Sequence, residues 1–370
     1  MAKRVLMVGQ FPPPVTGEGQ MNMLVERMLK AEGLSVAKVD SCIIADVNQV
    51  GQFSLSKFWR ALQVCLKSIL FVFSIDVLYL TPGQTLFGLL RFLPVIMVAA
   101  LARKQVILHW HGYGILPLFK RYPRIARCYF NQRFINVVLT HDLIQKLAAA
   151  GINTSRTVKI ANFSELPVQA AVSSIASEQQ PVRLKVLFLG GLMAEKGIDL
   201  FLQAAASSAA FDFIVCGAGD AEITERVQSL ADEGKLTFAG LVQAAQKQHI
   251  LNEADIFVLQ THYPTEGVPL TILEAMASGC AIVTTQHNGI PETVGEAAFF
   301  VEAQSVESLL AALKQLDQQR QQLLALQQLA LQQARQFSYS RFKDAMLPLF
   351  YLNSSQNPPS NVGENRLDRR

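Results

Sequence analysis

Along the first half of the chain, short apolar runs alternate with longer stretches of helical periodicity. Strands are predicted at 4–8, 36–40, 76–80, 105–109, 136–140 and 157–160, with helical patterns between most of them. The rhythm restarts after residue 183, with strands predicted at 184–189, 213–216, 236–239, 256–259 and 281–284. Such alternation builds βαβ units on parallel sheets. The fold class expected is therefore α/β: two Rossmann-like, doubly wound parallel-sheet domains, with ligands at the C-terminal strand edges and a cleft where the two sets of edges meet.

The intervening segment, 164–182, is rich in Ser, Ala, Gln and Glu without strong periodicity, and reads as a linker. The expected layout is a first domain over 1–163, a second over 183–338, a final helix over 339–352, and a disordered tail over 353–370 with no apolar face. The stretch 305–336, dense in Leu, Ala and Gln, reads as one or two amphipathic helices.

The most information-rich run is THYPTEGVPLTILEAMASGCAIVTTQHNGIPE, 261–292, in which Glu266 and Glu274 are separated by seven residues. Pro269 is placed to open a helix and Gly279 to end it. No Ser, Thr, Asp or Asn stands just before that helix, so an anion is a candidate partner for its first N–H groups. By spacing alone, Thr271, Glu274 and Ser278 share one helical stripe and read as a solvated face.

Other candidates follow predicted strands. Gly17 and Gly19, in the loop GQFPPPVTGEGQ after the first strand, precede a helix expected over about 20–30. His109 and His111, in HWHGYG, share one strand face, but no nearby carboxylate or cysteine completes a metal set. In LGGLMAEKGID, Lys196 precedes a predicted helix start, a poor place for a cation unless an anion, or Glu195 and Asp199, offsets it. Gly217 and Gly219 in VCGAGD read as a turn.

The 261–292 run resembles the signature of the retaining glycosyltransferases of family 4, which have the GT-B fold: a Glu, seven residues, a second Glu, a small-residue helix end and a Gly-Ile-Pro-Glu turn, here Gly289 to Glu292. The resemblance implies a glycosyltransferase that moves a sugar from a nucleotide-sugar donor, with retention, to a polysaccharide or lipid-linked glycan precursor. It places donor binding mainly in the second domain and acceptor binding in the first, and returns the last helix to the first.

On the same basis Glu274 meets the ribose hydroxyls. Glu266 and the backbone of Gly267, Val268, Pro269 and Leu270 hold the donor sugar, and Lys196 binds the diphosphate. Gly17 approaches the donor, while His111 with Gly112 faces its sugar. The chain departs from the family pattern at Gly191, where an Arg is usual. Two other activities remain open: a nucleotide-sugar epimerase on the same fold, and a non-catalytic nucleotide-sugar-binding partner protein.

Composition narrows this only slightly. A chain of 370 residues supports two cores, and a net charge of +4 is too small to argue for nucleic acid. Five scattered cysteines without a CxxC fit reduced thiols in a cytoplasmic protein. No D-x-D occurs, so a metal-bridged diphosphate has no visible ligand set, and neither metal nor cofactor is expected.

Two apolar stretches, 58–73 and 85–102, approach membrane-span length. Arg91 and Pro94 make the second read instead as a buried crossover helix. In 120–133, KRYPRIARCYFNQR, basic residues alternate with aromatics. Either a solvated helix face or a contact with an anionic membrane surface, at the inner face of the cytoplasmic membrane, accounts for it.

Overall fold

The computed structural model describes residues 2–42, 55–171, 183–352, 356 and 358. They form two compact units, one of residues 1–162 with 340–370, the other of residues 163–339. Part of the expected linker, 172–182, and most of the expected tail lie outside the described residues.

The first unit holds a six-stranded sheet of β1 (Arg4–Gly9), β2 (Ser35–Asp40), β3 (Val77–Leu80), β4 (Gln105–His109), β5 (Ile135–Val138) and β6 (Thr157–Lys159). The strand order is β2-β1-β3-β4-β5-β6 and every pairing is parallel. Central strands are unbroken apolar runs because helices cover both faces: Val5, Leu6, Met7 and Val8 in β1 and all of β3 are buried. The edge strand β2 is mostly half-exposed or exposed and carries Lys38.

The second unit repeats the plan with β7 (Lys185–Leu189), β8 (Asp212–Cys216), β9 (Thr237–Gly240), β10 (Ile256–Leu259), β11 (Ala281–Thr284) and β12 (Ala298–Phe300). Their order is β12-β11-β10-β7-β8-β9, again parallel throughout. In each sheet the order reverses once beside its first strand, at β1/β3 and at β10/β7. Open parallel sheets bind ligands at the carboxyl end of such a switch point.

Several expectations shift in detail. The first helix runs Gly17–Ala31, not from about residue 20, because Thr16 caps it by accepting from the Gly19 N–H at 3.0 Å and so draws both glycines into the first turn. Strand β5 stops at Val138, since Thr140 caps the helix His141–Ala149. Strand β12 was not foreseen; three residues are too short for a periodicity signal.

The stretch 85–102 is not one buried helix. It is two helices, Leu86–Leu90 and Leu93–Leu101, of which Val95, Ile96 and Ala99 are buried while Leu90, Met97 and Leu101 are exposed. In 120–133, Tyr129 and Phe130 are buried in the aromatic cluster around Trp110, and Lys120, Arg121, Arg124, Arg127 and Arg133 face outward. That segment therefore offers charge at the surface, and its aromatic rings belong largely to the core.

The last helix, Tyr339–Met346, and the turn Leu347–Phe350 pack in the first unit. Lys343 pairs with Glu32 at 2.7 Å, Lys3 Nζ donates to the Phe350 carbonyl at 2.9 Å, and the buried Phe350 ring stacks on Tyr79 at 5.9 Å. A cavity left by Phe350→Ala should lower the unfolding free energy of the first unit by about 3–5 kcal/mol. Denaturant unfolding of the wild type and the variant measures this loss, and a change under about 1 kcal/mol would show that the return of the chain is only a loose contact.

Candidate functional site

At the β10/β7 switch point two loops meet. After β7 the chain passes through the 3-10 turn Ala194–Lys196 into the helix Ile198–Ser207. After β10 it runs through 260–269 into the helix Leu270–Ala277. The two are stitched together by the His262 N–H and the Thr261 hydroxyl, which donate to the Glu195 carbonyl at 2.7 and 3.1 Å. Gly197 makes the approach possible: its φ is +86°, and a Cβ there would lie 2.6 Å from the Gln260 carbonyl oxygen.

This stitching brings Lys196 to Glu266. The Lys196 Nζ lies 3.4 Å from Glu266 Oε2, an ion pair without hydrogen-bond geometry, and 5.8 Å from the centroid of the Tyr263 ring. Glu266 is buried, as are Gly267, Val268 and Pro269. The loop is braced from behind by residues no motif had singled out. Asn288 Nδ2 donates to the carbonyls of Glu266 and Pro264 at 3.1 and 3.2 Å, and His287 Nε2 bonds to the Tyr263 carbonyl at 2.8 Å. Asn288 sits at φ +48°, a region Asn tolerates better than most residues.

Pro269 is the N-cap of the second helix and Leu270 its first residue, one position later than expected; no side chain caps it. Gly279 ends the helix at φ +79°. The solvated stripe expected from spacing is absent. Glu274 and Ser278 are buried together with Ile272 through Ala277, because the helix Arg320–Ala334 packs over this one and leaves it little outer face.

A buried carboxylate demands a partner. Lys247, on the helix Ala244–Glu253, supplies it by hydrogen-bonding Glu274 Oε1. Burial still pushes the Glu274 carboxyl above its ordinary range, with the lysine acting against that shift. Sequence offered no sign of this pair, which joins residues 27 positions apart.

Gly191 is compatible with a side chain. A Cβ there would meet only Met193 at ordinary contact distances of 3.6 and 3.7 Å. The missing Arg is therefore not excluded by the backbone.

In the first unit the β1/β3 switch point holds a separate polar group. Asn22 Nδ2 donates to the Gln10 carbonyl and to Thr81 Oγ1, both at 2.9 Å. Glu18, one residue after Gly17, is half-exposed as a residue, but its carboxyl lies inward near Thr81, Gln10 and Arg91. Desolvation there raises its pKa from 4.5 to about 7, against the hydrogen bonds from Thr81 and Gln10 and the pull of the Arg91 guanidinium.

His109 is fully buried and its Nδ1 is bonded to the Tyr79 hydroxyl at 2.6 Å. The His111 ring lies 4.1 Å from that of His109. Burial pushes His111 down to about 3 and His109 well below its ordinary range, so both rings are neutral near pH 7. Both nitrogens of His111 are buried without a hydrogen-bond partner, which leaves a donor and an acceptor for a ligand. Gly112 is buried and Gly17 exposed. Among the described residues no three His, Cys, Asp or Glu side chains converge as a metal set.

The fold is that of the GT-B glycosyltransferases. Residues 183–319, most of the second unit, match the family described as Glycosyl transferases group 1. Among relatives, the amylovoran biosynthesis glycosyltransferase AmsK of Erwinia amylovora is 26% identical over 53% of this chain and 50% of its own length. The mannosylfructose-phosphate synthase of Agrobacterium fabrum is 34% identical over 34% of this chain and 30% of its own. The chain thus spans half or less of the length of these curated relatives.

Solved structures extend the likeness to both units. HepE of Anabaena, in complex with UDP, superposes with a TM-score of 0.68 at 16% identity, covering 94% of this chain and 99% of its own. The sucrose-phosphate synthase of Thermosynechococcus elongatus gives 0.71 at 16% identity, covering 94% and 98%.

Glu18 provides a pH test of the first unit. A carboxyl whose folded pKa is raised favours folding while it is protonated. Its contribution is complete below the unfolded pKa of 4.5 and is lost as the pH rises to about 7. The unfolding free energy of the wild type should therefore fall between those values relative to Glu18→Gln, which keeps the neutral form at every pH. Denaturation curves across this window check it, and parallel pH profiles would show that the carboxyl is freely solvated.

Proposed function

We propose that the chain is a glycosyltransferase that takes a sugar from a nucleotide-sugar donor and transfers it, with retention and without a metal, to a polysaccharide or lipid-linked glycan precursor. The observation that carries the proposal is the Lys196–Glu266 pair at the β10/β7 switch point, with a second buried carboxylate, Glu274, on the helix that follows.

The chemistry follows from charge exchange. The diphosphate of the donor displaces Glu266 from Lys196, because two phosphate charges compete with one carboxylate for the ammonium group. Glu266, released, accepts hydrogen bonds from sugar hydroxyls, as a carboxylate can from a diol. The uncapped N–H groups of the helix Leu270–Ala277 add positive potential where negative charge grows on the leaving diphosphate. Glu274 takes the ribose hydroxyls, with Lys247 opposing the upward push of burial on its carboxyl. In the first unit His111, neutral and with two unused ring nitrogens, is able to meet a ligand as a hydrogen-bonding group rather than as a cation.

The AmsK likeness, through the activity its name prints, supports polysaccharide assembly, and the UDP complex of HepE makes UDP-sugars the first donors to try. Radiolabelled nucleotide sugars incubated with the full chain and a bacterial glycan-lipid extract test the reading. The wild type should transfer label in EDTA, the new linkage should keep the donor's anomeric configuration by NMR, and Lys196→Met should lower kcat/KM by about 100-fold or more. Conversion of the donor to an epimer without an acceptor would contradict transfer as the activity, as would an unchanged rate in Lys196→Met.

A further inference from the structure

The helix Leu55–Val72 of the first unit has an apolar stripe on each side. Ala61, Cys65, Ser68 and Val72 are buried. On the opposite side, at helical spacing, Trp59, Leu66 and Leu70 are exposed, at 59%, 53% and 75%, and Phe73 continues the line just past the helix end. The helix packed against it, Leu93–Leu101, repeats the pattern: Val95, Ile96 and Ala99 face inward, while Met97 and Leu101, preceded by Leu90, face outward. Water-facing positions on both helices are thus apolar along much of their length, which a solvated surface does not maintain.

The charge beside these stripes has one sign. Between residues 55 and 104 there are six basic residues and a single acid, Asp76, which is held by Arg4 at the N-terminal end of β1. Arg60 and Lys67 stand one heptad apart beside the Trp59–Leu66–Leu70 stripe, and Arg103 follows Leu101; all three are exposed. No described helix is long and apolar enough to cross a membrane.

We propose that this face lies flat on an anionic lipid bilayer, with Trp59, Leu66, Leu70, Phe73, Met97 and Leu101 at the acyl boundary and the neighbouring basic residues among the headgroups. Amphipathic helices of this kind insert to about 5–10 Å, and tryptophan favours the headgroup level. A second copy of the chain is a poorer occupant, because its own Arg60, Lys67 and Arg103 would be brought against these without an acid to receive them. The proposal is independent of the enzymatic reading.

The test uses the full chain with vesicles of phosphatidylglycerol mixed with phosphatidylcholine, and of phosphatidylcholine alone. The chain has two tryptophans, and Trp110 is fully buried, so a vesicle-induced blue shift reports Trp59. Cosedimentation and the blue shift should appear with the anionic vesicles and weaken with salt. Both should fall about tenfold or more in Leu66→Glu/Leu70→Glu and in Arg60→Glu/Lys67→Glu, two independent pairs at exposed positions whose folding is checked by circular dichroism. Absence of wild-type binding, equal binding by both folded variants, or a vesicle-indifferent dimer that Leu70→Glu dissociates would overturn the proposal.

Discussion

A carboxylate removed from water has to be met by a cation or by hydrogen-bond donors, and the second unit is arranged around meeting that demand twice. Glu266 and Glu274 are both buried, and each is answered by a lysine from another part of the chain. The glycine turn at Gly197, the stitching of 261–262 to Glu195, and the Asn288 brace fix where those carboxylates stand. Under the proposed function, the diphosphate of a donor competes with Glu266 for Lys196 and the donor sugar's hydroxyls compete for the Glu266 carboxylate.

The two pairs differ in a way that matters for binding. Lys196 approaches Glu266 at 3.4 Å without hydrogen-bond geometry, whereas Lys247 hydrogen-bonds Glu274 directly. The first is the looser and is suited to opening when a diphosphate arrives. The second sets a cation against the burial that pushes the Glu274 carboxyl above its ordinary range. In the first unit the same problem is solved by neutrality: His109 and His111 lie where protonation is costly and carry no charge near pH 7.

Much of the fold was legible because parallel strands buried on both faces are written as uninterrupted apolar runs; β4, β10 and β11 start and end where the sequence placed them. What escaped had physical reasons. Strand β12 is too short to show a period, and the Thr16 cap pulled two glycines into a helix that their composition argued against. The carboxylate spacing singled out Glu266 and Glu274, but the solvated stripe inferred for Glu274 is absent because helix periodicity cannot see Lys247 arriving from the helix Ala244–Glu253 to meet it. Lys247 and Glu18 lie outside the 261–292 run and Asn288 is not one of its signature positions, and only the folded chain brings Lys247 and Asn288 to the carboxylate helix and loop. Arg91 and Pro94 make the 85–102 stretch read as a buried crossover helix, yet apolar residues also line its outer side.

The β10/β7 junction of the second unit is proposed here as a cradle for a nucleotide sugar. Calorimetric titration of UDP-, GDP-, ADP- and dTDP-sugars into the full chain in EDTA tests it most directly, run beside Glu274→Ala. One nucleotide class should bind the wild type without metal, and loss of the Glu274 carboxylate should weaken that binding by at least about tenfold. Binding of no nucleotide sugar by the folded protein, or equal binding by wild type and variant, would contradict it.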